Sequence, residues 1–377
     1  MPDVIEVLAD LVALPSINPM GRDVQGPEYG EARVADYVSA FLARHGIHTE
    51  RQAVLPGREN VLARVPGAQT KPALLFETHM DTVRVDRMEI EPFDPVQKDG
   101  RLYGRGSCDA KASLAAMMVA MAKLARRPPS ADVWLCAAVD EEYTFGGAAH
   151  LVRSGFRVER VLVGEPTSLA LVTSHKGAMR WRIATVGRAA HSATPWEGEN
   201  AIYRMADVLQ ALRDYAAELQ RQPPHPRLGP RTLSVGTIEG GQTVNTVPDR
   251  CEISVDRRVV PGEKLAEVAE GLMAHLAARG VGADLVVSEI LRDPPMEIPD
   301  DAPWPQAVLN AAGHVRPTPT AAVHYGTDAS KFAEAGMPAV VLGPGNIAQA
   351  HTVKEWVALE EVRAAEEVYL SVATAAP

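Results

Sequence analysis

Short apolar runs of strand type alternate with helical runs through much of this chain, and this alternation restricts the fold more than any other feature. A chain of that order folds as an α/β layer, with helices on both faces of a buried mixed sheet. We predict strands at residues 60–65, 73–78, 133–139, 158–163 and 169–173, and helices at residues 3–12, 31–45, 112–126, 147–153 and 359–373.

The order changes over the middle of the chain to strand, helix, strand, strand, helix, strand. These six elements are expected at residues 179–186, 200–221, 232–239, 251–258, 264–279 and 283–288. A βαββαβ order is the split βαβ, or ferredoxin-like, arrangement and forms a complete small domain. The α/β pattern then resumes with elements at 304–312, 321–324, 331–335 and 339–342. We therefore predict one domain from residues 1–176 and 290–377, and an inserted domain at 177–289.

The charge balance and the cysteines limit the class of protein. The net charge of the 377 residues is −10 and no segment is strongly basic, which argues against nucleic acid or anionic membranes as partners. Three scattered cysteines form no disulfide framework and no Cys-x-x-Cys pair. The first helix lacks the features of a signal peptide, and no apolar run is long enough to span a membrane. We expect a soluble, cytoplasmic protein.

The segment from Gly104 to Lys111 opens the apolar helix expected at 112–126. Its sequence is Gly-Arg-Gly-Ser-Cys-Asp-Ala-Lys, and two glycines allow a sharp turn before Asp109. A carboxylate at this position interacts favourably with the positive end of the helix dipole. Two interpretations remain open from the segment alone: Asp109 caps the helix, or its two oxygens bridge a pair of metal ions.

Histidines and carboxylates follow several of the predicted strands. Ligands of α/β folds collect at the carboxyl ends of strands, and three expected strands end immediately before such residues. Each group has an ordinary interpretation when taken alone: a structural His-x-Asp, a solvated acidic turn, a Gly-Glu-Pro turn or a surface histidine. Together they indicate a metal site. The candidates are His79, Asp81, Glu141, Glu142, Glu165 and His351.

The whole chain resembles the co-catalytic zinc amidohydrolases. That family includes acetylornithine deacetylase, succinyl-diaminopimelate desuccinylase, aminoacylase and a glutamate-releasing carboxypeptidase. Five motifs occur in the family's order, each beside an expected strand end. They are His79-x-Asp81, Gly104-Arg-Gly-Ser-x-Asp109-x-Lys111, Glu141-Glu142, Gly164-Glu165-Pro-Thr and Ala350-His351.

The resemblance implies the ligands of two Zn²⁺ ions. His79 and Glu165 would hold one ion, Glu142 and His351 the other, and the Asp109 carboxylate would bridge them. Co²⁺ or Mn²⁺ could substitute, because carboxylate ligands do not select sharply among these metals.

The same resemblance implies that Asp81 partners the second ring nitrogen of His79 and that Glu141 is the general base. Two divalent cations about 3.5–4 Å apart can share a hydroxide, because they lower the pKa of bound water towards ~7. Glu141 would take the proton as this hydroxide forms and attacks an amide carbonyl, and would then pass it to the leaving amine.

Further matches lie in or near the inserted domain, which the resemblance makes a lid and dimerisation domain. His191, in Gly-Arg-Ala-Ala-His-Ser-Ala, matches a histidine that stabilises the oxyanion and that comes from the partner subunit in dimeric members. Asn245 and Arg258 match substrate-binding positions. Arg257 is an alternative to Arg258, because only one of two adjacent strand residues can face a cleft. The backbone of Gly326 and Thr327 would contact the substrate carboxylate.

We therefore expect a dinuclear zinc amidohydrolase of amino-acid metabolism that cleaves N-acyl-amino acids and forms a homodimer through the inserted domain. A metallo-carboxypeptidase that releases a C-terminal amino acid is the alternative enzyme, because its chemistry is the same. A metal-binding sensor without catalysis is the third interpretation, although it predicts loss of Glu141 or Asp109, and both are present.

Overall fold

The computed structural model describes residues 2–69, 73–282 and 284–375. Within this part of the chain there are two compact units. The first takes in the described residues of Met1–Thr173, Glu297–Ala321 and Thr327–Pro377, and the second takes in those of Ser174–Met296 and Ala322–Gly326.

The strands are β1 (Thr49–Leu55), β2 (Arg58–Val65), β3 (Leu74–His79), β4 (Val96–Lys98), β5 (Arg101–Tyr103), β6 (Val133–Ala138), β7 (Arg160–Val163), β8 (Leu171–His175), β9 (Gly177–Val186), β10 (Ala190–His191), β11 (Thr232–Gly240), β12 (Thr246–Val247), β13 (Arg250–Val259), β14 (Leu285–Asp293), β15 (Met296–Glu297), β16 (Thr320–Val323), β17 (Ala339–Val341) and β18 (Trp356–Ala358).

The α-helices are α1 (Val4–Val12), α2 (Ala32–Arg44), α3 (Lys111–Arg126), α4 (Glu141–Thr144), α5 (Gly146–Arg153), α6 (Ala201–Arg221), α7 (Leu265–Ala278), α8 (Pro303–Gly313), α9 (Ala329–Glu334) and α10 (Leu359–Ala375). Short 3₁₀ helices occur at Pro195–Glu197 and Ile347–Gln349.

The large sheet of the first unit runs in the order β1-β2-β6-β3-β7-β17-β8. Strand β3 lies parallel to both β6 and β7, and β17 lies parallel to β7, whereas β1, β2 and β8 pair antiparallel. Every residue of β3 is buried, as expected for a central strand covered on both faces. The predicted α/β fold with a mixed sheet is confirmed.

Helix α3 is the central helix of this unit. Its sequence is rich in alanine and methionine, and almost every residue is buried, including Lys111 at its start. Alanine is the strongest helix former, and its small side chain lets neighbouring elements approach closely. A helix that is apolar on all sides must be covered on all sides. Accordingly, α3 packs against α1 and α10 as well as against β3 and β6.

The second unit contains an antiparallel sheet in the order β11-β13-β9-β14, with α6 packed on it. Burial alternates strictly along β13, so one face of the strand meets the core. The order of the main elements is βαββαβ, which confirms the predicted inserted fold. The last strand differs from its prediction at 283–288: it covers Leu285–Asp293, and Ala283 lies outside the described residues.

Several short strands were not predicted, among them β10 and β12, and three further differences concern β1, α4 and β3. Strand β1 was not predicted, because its alternating polar residues produce no apolar run. The acidic turn after β6 is the start of the short helix α4. Strand β3 extends to His79, so this histidine ends the strand instead of following it.

Candidate metal centre

Three neighbouring strands bring the first group of candidate residues to one edge of the sheet. His79 ends β3, Glu141 and Glu142 begin α4 directly after β6, and Glu165 follows β7. Because β6 and β7 flank β3 in parallel, their carboxyl ends lie side by side. The sheet topology therefore gathers side chains that are up to 86 residues apart in the sequence.

The candidate ligand atoms form two clusters, each with all its atoms within 4.8 Å of one another. Group 1 contains His79, Glu141 and Glu165. Group 2 contains Asp109, Glu142 and His351.

The carboxylate of Asp109 lies between the two imidazoles. Its Oδ1 is 3.2 Å from Nε2 of His79, and its Oδ2 is 3.2 Å from Nε2 of His351. Each oxygen thus faces a different histidine, which is the arrangement required of a carboxylate that bridges two cations. Helix α3 begins only at Lys111, and within the described chain its N-cap residue, Ala110, makes no side-chain capping bond. The interpretation of Asp109 as a helix cap is therefore wrong.

The ring of His79 is oriented for metal binding. Its Nδ1 lies 2.9 Å from the main-chain oxygen of Asp81, which can only accept, so Nδ1 carries the proton. Nε2 faces Asp109 and also Oε1 of Glu165, 3.8 Å away, and a cation bound there would replace the proton that this nitrogen shares with the carboxylates. We expected the Asp81 carboxylate to accept this proton, but its Oδ1 is 3.6 Å away, too long for a hydrogen bond.

The Asp81 carboxylate instead anchors the start of α4. It accepts the main-chain N–H groups of Glu141 (3.2 Å) and Glu142 (3.1 Å), and it also accepts Nδ2 of Asn18 (2.7 Å). A buried carboxylate satisfied by three donors is a rigid support. Asp81 therefore connects the strand that carries His79 to the helix that carries both glutamates.

The electrostatics of the cluster favour added positive charge. Burial raises the pKa of Glu141 and of Glu165 well above the usual range, and the neighbouring carboxylates raise it further. The hydrogen bonds that His351 donates to the Asp109 and Glu142 carboxylates raise its pKa to about 10. Without a cation, this cluster holds protons to offset crowded carboxylates. Divalent cations would replace those protons.

The donor set also fits metal ions. Two imidazoles and several carboxylates suit Zn²⁺, Co²⁺ or Mn²⁺. Among the described residues, Oε1 of Glu142 is buried without a hydrogen-bond partner, although Oε2 contacts His351 at 3.2 Å. A cation between Glu142 and Asp109 would satisfy this oxygen. The distances alone allow Glu141 to be a ligand of Group 1, so its role as the general base stays a prediction.

Two buried carboxyls beside the centre were not predicted as site residues. Glu77 precedes His79 by two positions in β3, and Asp328 follows the Gly-Thr pair of a loop. Burial raises the pKa of Asp328 to about 7, and burial together with the charge of Asp328 raises the pKa of Glu77 well above its usual range. The period of two along a strand could have indicated Glu77, because it shares a face with His79.

The second unit brings His191 and Asn245 together. His191 lies in β10, which pairs with β12, and the N–H of Ser192 donates to the main-chain oxygen of Asn245 at 3.1 Å. Both side chains are exposed. This pairing puts His191, predicted to stabilise the oxyanion, close to Asn245, predicted to bind substrate, and both roles stay predictions.

The adjacent arginines of β13 point in opposite directions, as the alternation requires. Arg257 is buried and pairs with Glu263 at 2.5 Å, whereas Arg258 is partly exposed and donates to Asp256 at 2.8 Å. Arg258 is therefore the accessible member of the pair. It lies eight residues along β13 from Arg250, or roughly 26 Å at the usual strand rise, at the end of the strand away from the His191–Asn245 ladder.

The last two predicted contacts fall in the loop before α9. Gly326 is partly exposed, and Thr327 is buried, with its Oγ1 accepting the N–H of Ala329 at 3.2 Å. Contact of their backbone with a substrate stays a prediction. Among the described residues, no helix combines the length and apolar character needed to cross a membrane.

Residues 75–375 of the chain match the sequence model of Peptidase family M20/M25/M40. An acetylornithine deacetylase of Vibrio cholerae is 32% identical over 371 residues, which are 96% of this chain and 95% of that protein. An acetylornithine deacetylase of Myxococcus xanthus is 32% identical over 349 residues, 88% of this chain and 89% of that protein.

Solved structures share the fold at lower identity. An M20-family metallo-carboxypeptidase from Sulfolobus solfataricus superposes with a TM-score of 0.81 at 18% identity, covering 100% of this chain and 99% of that one. The match to the family extends over both units described above. The chain therefore belongs to peptidase family M20/M25/M40, and it is a metal-dependent amidohydrolase.

Proposed function

We propose that this enzyme hydrolyses the amide bond of N-acyl-amino acids with two Zn²⁺ ions. The single observation that carries the proposal is the position of Asp109, with one carboxylate oxygen directed at each of two imidazoles. The acyl-amino-acid substrate is supported by relatives named acetylornithine deacetylase that cover nearly the whole chain.

The proposed ligands divide between the ions as the family resemblance implies. His79 and Glu165 would hold one ion, Glu142 and His351 would hold the other, and Asp109 would contact both. When bound, divalent cations polarise a carbonyl oxygen and lower the pKa of water towards ~7.

Glu141 is proposed to carry the proton of the reaction. Its side chain is at the centre, and Asp81 fixes its main-chain N–H. The carboxylate would take a proton from the attacking water and give it to the nitrogen that departs as the amide C–N bond breaks. Burial, followed by the charge of Glu165, raises the pKa of Glu141 and so makes it a stronger base. Such acid–base help is typically worth about 10²–10⁴-fold in rate.

We also propose that the second unit, predicted at 177–289, is a lid and that it joins two copies of the chain. His191 and Arg258 stand at opposite ends of this unit, a separation larger than one acyl-amino acid, so a single copy of the unit cannot bring both to one substrate. Trp196, Tyr203 and Val244 are large, exposed apolar residues of this unit, and the last two line a cavity of about 810 Å³. A partner copy would cover such a surface.

The dimer proposal is tested by light scattering of Tyr203→Glu. We expect a dimer for the wild type and a monomer of low activity for the variant. A wild-type monomer with full activity would contradict it.

A cytoplasmic location completes the proposal. Cys108, Cys136 and Cys251 are buried with free thiols in the described chain, which fits a reducing compartment. Quantifying free thiols in the protein isolated from its native cells would test this, and a disulfide would oppose it.

The substrate class is tested by measuring metal content and turnover on one panel. The panel contains N-acetyl-ornithine, N-succinyl-diaminopimelate, other N-acetyl-amino acids and a dipeptide. We expect two metals per chain and turnover of an N-acyl-amino acid above that of the dipeptide. Dipeptide turnover alone would favour the carboxypeptidase alternative, and no turnover by protein holding two metals would favour the sensor.

A further inference from the structure

We infer that Glu355 is a positioning residue that holds the loop carrying Asp109 against the segment carrying His351. The inference rests on the proposed metal-dependent function, since its consequence is the order in which the two ligand groups bind metal. Glu355 lies four residues after His351 and is wholly buried.

Four hydrogen bonds converge on the Glu355 carboxylate. Its Oε1 accepts the main-chain N–H groups of Cys108 (2.8 Å) and Asp109 (3.0 Å). Its Oε2 accepts the N–H of Gly106 (3.1 Å) and Nη1 of Arg105 (2.5 Å). An ionised carboxylate has about four lone-pair sites, so the acceptor capacity of Glu355 is fully used by one loop.

The loop depends on this acceptor because of where α3 begins. The N–H groups of Gly106, Cys108 and Asp109 come before Lys111, the first residue of the helix. A buried N–H group without an acceptor is costly. The Glu355 carboxylate is the acceptor of all three N–H groups. A residue more than 240 positions away in the sequence therefore fixes the backbone of Asp109.

Arg105 extends the contact to two further loops. Its Nη2 donates to the main-chain oxygen of Arg84 (3.2 Å), three residues after Asp81, and to that of Thr352 (3.3 Å), beside His351. The N–H of Gly104 also donates to the main-chain oxygen of Glu355 at 3.1 Å. The Glu355–Arg105 ion pair therefore connects three loops, each of which carries or adjoins a candidate ligand.

The two ligand groups differ in how much they need this connection. His79 is the last residue of a central strand, and its side chain is only 1% exposed, so packing fixes it. The side chain of His351 is 54% exposed and lies in a loop, four residues before Glu355. Loss of the Glu355 contacts should therefore weaken metal binding at Group 2 far more than at Group 1.

The test compares Glu355→Gln with Glu366→Gln in metal-free protein. Glutamine keeps the size of Glu355, but its NH₂ cannot accept two of the four bonds. Glu366 is the control, because it is a buried glutamate of the same unit that pairs with Lys123 on the far end of α3. Each protein is titrated with Co²⁺ and followed by its visible absorption, and Zn²⁺ per chain is counted after dialysis.

For the wild type and for Glu366→Gln we expect two ions per chain with the same affinities. For Glu355→Gln we expect the first ion to bind nearly as in the wild type and the second about 10–100-fold more weakly, the range found when a ligand's supporting partner is removed. Unchanged binding of both ions, equal loss of both, or an equal effect of Glu366→Gln would each overturn the inference.

Two further outcomes separate this inference from the proposed function. If the wild type binds two ions but hydrolyses no acyl-amino acid, the function fails while the selective loss in Glu355→Gln still supports the positioning role. If Glu355→Gln does not fold, Arg105→Lys replaces it, because lysine keeps the charge but cannot reach both Arg84 and Thr352. Selective weakening of the second ion in Arg105→Lys supports the inference, and binding like that of the wild type overturns it.

Discussion

Group 1 and Group 2 contain the same kinds of candidate ligand, but different interactions hold the two groups in place. His79, Glu141 and Glu165 all lie at the ends of neighbouring parallel strands, and the sheet itself brings them together. His351 of Group 2 lies in an exposed loop that is held by hydrogen bonds. The comparison teaches that a candidate site for two metal ions can join one half built by packing to another built by polar contacts, with Asp109 of Group 2, the proposed bridge, facing the imidazoles of both groups.

The largest effect should come from the shared carboxylate. In Asp109→Ala both groups lose a ligand, so we expect neither metal to be retained after dialysis and a fall in turnover of at least ~10⁴-fold, because the several kcal/mol supplied by the cations is lost. Metal analysis and kcat/KM check this. If the variant kept one metal at wild-type affinity, the two groups would be independent and Asp109 would belong to only one of them.

Glu141→Gln separates the proton carrier from a ligand of Group 1. As a proton carrier, Glu141 is not needed to hold metal, so we expect two ions per chain and a fall in kcat of about 10²–10⁴-fold. Glutamine preserves the size of the side chain and the main-chain contact with Asp81. Loss of one ion from this variant would instead make Glu141 a metal ligand, as the distances within Group 1 permit.

Replacing each histidine in turn tests the difference in support directly. His351→Ala should lose one ion and lower the melting temperature of the metal-free protein less than His79→Ala does, because the side chain of His351 is half exposed and leaves no cavity in the core. His79→Ala should also lose an ion, but it leaves a cavity in the core and should lower the free energy of unfolding by about 2–4 kcal/mol. Equal melting temperatures for the two metal-free variants would remove the distinction between the groups.

The part of the site that packing builds could be predicted from the sequence. Apolar runs indicate parallel strands, and the carboxyl ends of such strands share an edge, which is enough to bring His79, Glu141 and Glu165 together. The order βαββαβ likewise predicted the inserted unit. Both depend on local patterns repeated along the chain.

The ligand candidates of Group 2 were predicted, but the polar contacts that support them could not be. Glu355 is an ordinary acidic residue, and its partners lie 246 to 250 residues away. The same limit applies to Asn18, which supports Asp81 across 63 residues. Alternation along the strand shows that only one of Arg257 and Arg258 faces outward. Which one does so depends on Glu263, because its carboxylate forms an ion pair with the buried Arg257.

Acid should weaken metal binding at both groups. In the metal-free protein Asp109 and Glu142 raise the pKa of His351 to about 10, so near neutral pH the imidazole must lose a proton when a metal binds. The affinity should therefore rise with pH, by up to about tenfold per pH unit for each proton released. Calorimetric titrations with Zn²⁺ in buffers of different ionisation enthalpy would count these protons. Affinity independent of pH between 6 and 8 would oppose this account of the charges.

The smallest effect should come from a support that both groups share. Asn18 donates to Asp81, which in turn fixes the N–H groups of Glu141 and Glu142, one residue from each group. Asn18→Ala removes one of three donors to that carboxylate, so both ions should bind about tenfold more weakly, the lower end of the usual range for a supporting partner. A parallel loss at both groups would distinguish Asn18 from Glu355, whose loss should weaken metal binding at Group 2 far more than at Group 1. If Asn18→Ala weakened the binding of only one ion, α4 would not support Glu141 and Glu142 together. The two glutamates would then have different supports, although they are neighbours in one helix.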